Sequence, residues 1–191
     1  MDDGLIRKAV RDFLTAIGED PEREGLKETP DRVARACTEL FAGYEQNAEL
    51  SLERTFSIEA KQELVIIRDI TFYSFCEHHM LPFSGKVHIG YIPGNGKVLG
   101  ASKLIRVTEV FSRRLQLQER MTSQIAEAIY KATGELGVGV VAYGRHLCMT
   151  ARGVKNPTSE MITSSMKGAF MQDDRLRQEF LRLVEPGGRN V

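Results

Sequence analysis

Cys76-Glu77-His78-His79 places four chemically competent side chains in a row, and Met80-Leu81-Pro82 follows directly. Cys76 and His79 stand three apart at the end of a stretch that reads as a strand, so a turn there can aim both at one metal ion. Thiolate with imidazole suits zinc. Taken alone, the spacing also describes a strand end with a buried cysteine and surface histidines. A second group, His146-Leu147-Cys148, adds to it. It lies near the end of another predicted strand, where residues two apart share a face about 7 Å apart. His146 and Cys148 are therefore expected to point into one site and Leu147 away from it. Cys148 then supplies a third ligand beside Cys76 and His79. Three protein ligands with an open fourth position are the pattern of catalytic zinc, whereas a closed structural site would take its fourth ligand from His78 or His146. In the open arrangement zinc brings the pKa of a bound water towards ~7, and the unligated His78 and His146 are natural proton carriers. The set reads as metal-assisted hydrolysis.

Composition fits that reading and excludes others. The histidines are His78, His79, His88 and His146, and three of these four lie within three residues of a cysteine. Cys37, Cys76 and Cys148 make an odd count, a poor disulfide framework. Cys37 falls on an apolar helical stripe and is expected to pack in the core. The 191 residues carry 26 basic and 26 acidic side chains, a formal net charge of zero. A neutral balance argues against nucleic acid as the partner but leaves room for a local basic pocket. No apolar run is long enough to span a bilayer. The N-terminus is charged and then amphipathic, unlike a signal peptide, so no membrane association and a cytoplasmic location are expected.

A scattered basic set follows the first cluster. Ser102-Lys103 opens a predicted helix and Arg106 comes one turn later. Arg152 lies four residues after Cys148. A helix N-terminus with Ser and Lys is a ready anion site, and Arg suits phosphate oxygens. Arg113 and Arg114 read more simply as a solvated helix face. Glu119 is either an acid in the first turn of a helix or a carboxylate that accepts paired N–H bonds from a guanine edge. The residue types alone leave that choice open.

Periodicity supplies the elements that must hold these groups. Leu5 to Ile17 and the segment from Thr29-Pro30-Asp31 read as helices, with Thr29 as N-cap. Leu64 to Phe75 reads as a strand. Lys86 to Ile92 reads as another, with Val87, Ile89 and Tyr91 on one face and Lys86, His88 and Gly90 on the other. Pro93-Gly94-Asn95-Gly96 marks a turn. Helices are expected over Ser102–Leu117 and about Glu119–Ala132, then strands over Val138–Met149 and Glu160–Met166, and a terminal helix that stops before Pro186-Gly187-Gly188. Strand pairs separated by a helix pair imply an α+β domain, an antiparallel four-stranded sheet with two helices on one face. An N-terminal helical segment, residues 1–60, precedes the catalytic domain, residues 61–191.

Longer motifs then carry a resemblance. Ser74-Phe75-Cys76-Glu77-His78-His79, Pro82 through Pro93, Gly100-Ala101-Ser102-Lys103-Leu104, Ser112 through Thr122, His146-Leu147-Cys148-Met149 and Ala151-Arg152-Gly153-Val154 together resemble the GTP cyclohydrolase I family. The resemblance runs from about Leu5 to the terminal helix. It implies that the zinc ligands are Cys76, His79 and Cys148, that the acid–base histidines are His78 and His146, and that Glu119 anchors guanine with Gln118 beside it. It implies triphosphate and ribose contacts at Ser102, Lys103, Arg106 and Arg152. It further implies a tunnelling fold, a homo-oligomer in the form of a toroidal decamer of two pentamers with sites between subunits, and GTP as substrate. The expected products are 7,8-dihydroneopterin triphosphate and formate, the first step towards tetrahydrofolate and other pterins.

Overall fold

A computed structural model describes residues 1–57, 64–94, 96–134 and 136–185. The expected division between residues 60 and 61, the residue Asn95 of the expected turn and the expected stop at Pro186-Gly187-Gly188 lie outside the described residues. The chain opens with helix α1 (Asp3–Ala16), whose N-cap Asp2 accepts from the Leu5 N–H at 2.9 Å. Helix α2 (Thr29–Leu40) packs on it. Thr29 is not the cap but the first helical residue. Glu28 takes the cap position without a side-chain bond, and Pro30 sits in the first turn, where its missing N–H leaves no helical bond unmade. A short helix α3 (Ala48–Leu52) and strand β1 (Thr55–Ser57) complete this part.

The protein is a mixed α+β structure. Strands β2 (Val65–Cys76) and β3 (Pro82–Ile92) form an antiparallel pair, and the short β4 (Lys97–Leu99) pairs separately with β1. Helices α4 (Ala101–Ser112) and α5 (Gln118–Ala132) follow, with β5 (Leu115–Gln116) between them. Strand β6 (Gly137–His146), the helical turn α6 (Leu147–Thr150), strand β7 (Met161–Gly168), the turn α7 (Ala169–Gln172) and helix α8 (Asp174–Val184) end the described chain.

The main sheet runs β5-β2-β3-β6-β7, so it has five strands rather than the expected four. The fifth is β5, which lies parallel to the end of β2 through Phe75↔Leu115 and Cys76↔Gln116. The sequence pattern carries the preceding helix through Leu117, but α4 stops at Ser112. Arg114 N–H bonds the Ser112 carbonyl, and the next two residues find a ladder partner in β2 instead.

One face of the sheet holds Val87, Ile89, Tyr91, Val138 and Val140, buried against Leu104, Val107, Met121, Ile125 and Ile129 of α4 and α5. Helices were expected on one face only, yet the opposite face too is covered. Phe170, Phe180 and Val184 from α7 and α8 pack there on Val141. Gly90 permits the approach, since a Cβ there would come within 2.7 Å of the Phe180 ring. His88 on this face is 3 % exposed, and its Nδ1 accepts the Asp69 N–H at 3.2 Å. A period-2 pattern marks which residues share a face, and not which faces stay wet.

The strand expected to reach Met149 ends at His146. The ladder closes at Phe83↔His146; the next register partner of Leu147 is Pro82, the first residue of β3, which has no N–H to donate. The chain turns helical instead, and the Ala151 N–H bonds the Leu147 carbonyl.

Candidate active site

Cys76 is the last residue of β2, and the turn after it is closed by three backbone bonds. His79 and Met80 N–H both reach the Cys76 carbonyl, and Cys76 N–H reaches Leu81. Met80 takes a positive φ of 53° to complete the turn. This folds His79 back over Cys76, with Nδ1 3.8 Å from Sγ. Cys148 sits one residue into α6, at the end of the neighbouring β6. The ligand atoms of Cys76, His79 and Cys148 all lie within 4.8 Å of one another. A tetrahedral zinc with bonds of about 2.3 Å to sulfur and 2.0 Å to nitrogen holds such atoms roughly 3.5–3.8 Å apart, so the group fits a zinc ion in donor type and in size. Burial and the neighbouring Cys76 push the Cys148 thiol up, so metal uptake has to displace a proton there.

The expected route to this group was different. His146 and Cys148 do not share a strand face, because the backbone changes conformation between them. His146 ends β6 and turns onto Phe83, its ladder partner, with ring centroids 4.3 Å apart and planes within 8°. Its Nε2 lies 2.9 Å from Gln118 Oε1. Burial draws its pKa below the ordinary imidazole value, with the nearby Glu119 acting in the opposite direction. His78 projects from the turn, edge-on to His79 at 6.2 Å. Among the described residues neither His78 nor His146 belongs to the three-donor group.

The remaining sequence candidates are distributed unequally. Glu119 is exposed in the first turn of α5. Gln118, its neighbour, is fully buried and bonded within the protein: Nε2 donates to the carbonyls of Ala142 and Met161 at 3.1 and 2.9 Å and to Thr163 Oγ1 at 3.2 Å. Arg152 is exposed beside the metal group, with Nη1 3.0 Å from His79 Nε2. Ser102, Lys103 and Arg106 occupy the first turns of α4. The other end of α4 leads into β5, beside Cys76. A helix of that length rises about 16 Å, so one chain holds the two sets apart. Arg113 and Arg114 are not a solvated face. Arg114 donates to Val110 and Gln46 carbonyls and lies over the Phe111 and Tyr44 rings, while Arg113 donates to Glu39 O.

Comparison with known proteins settles the family. The family model described as GTP cyclohydrolase I matches residues 6–185. The chain belongs to the GTP cyclohydrolase I family. It is 53% identical over 184 residues to the GTP cyclohydrolase 1 of Carboxydothermus hydrogenoformans, covering 96% of this chain and 95% of that one. It is 51% identical over 188 residues to that of Dehalococcoides mccartyi strain CBDB1, covering 98% and 99%. It is 48% identical over 184 residues to that of Thermoanaerobacter pseudethanolicus, covering 96% and 97%.

The GTP cyclohydrolase I match runs unbroken through the N-terminal helices and the sheet. Two supports of the site escaped the sequence reading. Glu77 was noticed only as part of the Cys–His cluster, but its carboxylate takes a two-pronged ion pair from Arg120 at 2.5 and 2.9 Å, tying the metal turn to α5. That bond holds Glu77 below the usual carboxylate range. Phe83, under His146, stood only within the Pro82–Pro93 motif. The spacing of Glu77 and Arg120 carries no local signal, since they meet only through the fold.

Proposed function

We propose that this chain converts GTP to 7,8-dihydroneopterin triphosphate and formate, with one zinc per chain held by Cys76, His79 and Cys148. The observation that carries the reading is the convergence of two thiols and one imidazole within 4.8 Å, beside the stacked His146. Zinc, when bound, supplies a Lewis acid that makes water a competent nucleophile near neutral pH. The chain's own residues do the rest. Glu119 binds the pyrimidine edge of guanine, where its carboxylate accepts two N–H bonds that adenine does not offer in the same pair. Ser102, Lys103, Arg106 and Arg152 hold ribose and triphosphate. His146 moves a proton to the purine nitrogen N7, and His78 serves a step nearer the ribose.

Glu119→Gln tests this reading. Removing one partner of a desolvated charge-assisted pair typically costs about 2–5 kcal/mol. GTP binding is expected to weaken by about 30-fold or more at 1.4 kcal/mol per decade, with zinc content unchanged. Unchanged GTP affinity would return Glu119 to an ordinary helix-start acid.

The same reading makes the working unit a tunnelling-fold ring, a toroidal decamer of two pentamers with each site between subunits. Two features support it. Ser102 and Lys103 stand at the far end of α4 from the β5 segment that borders Cys76, and Arg106 stands about midway along the helix. Strand β7 forms an edge of the sheet, and an open edge of this length invites pairing with another copy. Light scattering at assay concentration should find a large oligomer and no active monomer; GTP turnover by a monodisperse monomer would sink the shared-site proposal.

A further inference from the structure

The surroundings of Gln118 bear on which nitrogen of His146 can move a proton. The Gln118 nitrogen faces two backbone carbonyls, Ala142 O and Met161 O, which can only accept. The amide end is therefore fixed, and the oxygen is the atom that meets His146 Nε2 at 2.9 Å. A carboxamide oxygen also only accepts. Of the two neutral tautomers of His146, only the one with its proton on Nε2 makes this bond. Thr163 Oγ1, which receives the third Gln118 contact, is itself 2.7 Å from Thr122 Oγ1 and continues the network into α5.

A second observation shows that the backbone is shaped for this contact. A Cβ built on Gly144 would stand 2.2 Å from Gln118 Oε1 and 3.1 Å from its Cδ. Gly144 lies in β6 two residues before His146, and its φ is not in the left-handed region. The glycine there makes room for a side chain and satisfies no turn. Phe83 fixes the ring plane from the other side by stacking. The opposite nitrogen, Nδ1, has no hydrogen-bond partner among the described residues, and it is not among the buried polar atoms left unpaired. It is the nitrogen left open.

We propose that Gln118, admitted by Gly144, is a positioning residue that holds His146 in the Nε2–H tautomer and so dedicates Nδ1 to proton exchange with the substrate. This rests on the proton-carrying role given to His146 above. It also gives Gln118 a different task from the substrate contact expected of it: the residue acts through the imidazole.

The test uses zinc-loaded full-length protein with 15N-labelled histidine rings, read by two-bond nitrogen–proton spectra. The ring at position 146 is identified by its disappearance in His146→Ala. Wild type should show the Nε2–H tautomer at that ring. Gln118→Met, similar in length but without the acceptor, should show a mixture or the Nδ1–H form. Its kcat should fall by roughly 10- to 1,000-fold, within the range of general acid–base help, while the KM for GTP and the zinc content change by less than about threefold. Gly144→Ala, which leaves Gln118 in place but displaces its oxygen, should do the same. An Nδ1–H tautomer in wild type overturns the proposal even if neither variant folds. So does an unchanged tautomer in both variants. A tautomer that shifts while kcat stays constant supports the positioning by Gln118 and instead overturns the proton-carrying role of His146.

Discussion

Cys148→Ala should leave the protein folded but without its zinc. Structural zinc sites bind with apparent free energies of about 10–16 kcal/mol over four ligands, so each ligand accounts for roughly 2.5–4 kcal/mol. Removing one of three should weaken binding by about 60-fold or more at 1.4 kcal/mol per decade. After exhaustive dialysis, metal analysis should fall from about one zinc per chain to near zero, and GTP turnover should fall with it. Unfolding is a poor explanation for such a loss, because Cys148 is only partly buried and lies in the four-residue turn α6. A thermal transition near that of the wild type would establish the point. Cys37→Ala is the matching control: that thiol lies in α2, outside the three-donor group, and its burial pushes its pKa up. It should keep full zinc and full rate. A Cys148→Ala protein that retains full zinc and still turns over GTP would remove Cys148 from the ligand set.

The donors of this group were legible from residue type and spacing because zinc demands few chemistries: two thiols and an imidazole are a short list in a chain with three cysteines and four histidines. Their convergence was reached by a faulty route. Sequence placed Cys148 on a continuing strand, whereas the ladder ends at Phe83↔His146 and the helical turn delivers the thiol. Strand length depends on where the neighbouring strand stops, here at Pro82, and nothing local to residues 147–150 reports it. The same limit explains β5, whose ladder partner lies some forty residues away in β2. The second buried face of the sheet was readable only in part. Leu176, Phe180, Leu183 and Val184 announced an amphipathic terminal helix, but amphipathicity does not name the surface it covers. Gln118 is the sharpest case. In sequence it is one of several polar residues before a helix, and its function is set by contacts with Ala142, Met161, Thr163 and His146, each at least 24 positions away.

His146→Ala is expected to keep zinc and bind GTP, yet lose most of the rate. Burial lowers the imidazole pKa, which favours a neutral His146 near pH 7. A neutral imidazole cannot begin as a proton donor through Nδ1. In the proposed role it would first accept a proton there and then pass that proton to purine N7 as the ring bond yields. In the proposed reaction the transient imidazolium would be supported by Gln118 Oε1 at Nε2 and by the nearby Glu119 charge. General acid–base help of this kind is typically worth ~10²–10⁴-fold, and kcat should fall by that much. The sign of the pH dependence follows from the direction of the shift. The active form is neutral, so the rate should hold on descending from pH 8 and decline only below the ordinary imidazole value near 6.5. In His146→Ala this acid limb should vanish from the residual rate over any range where zinc stays bound. The competing arrangement makes His146 a fourth zinc ligand, against its place outside the three-donor group. Zinc analysis separates the two: metal lost together with activity would make His146 a ligand and close the position at which water has to enter.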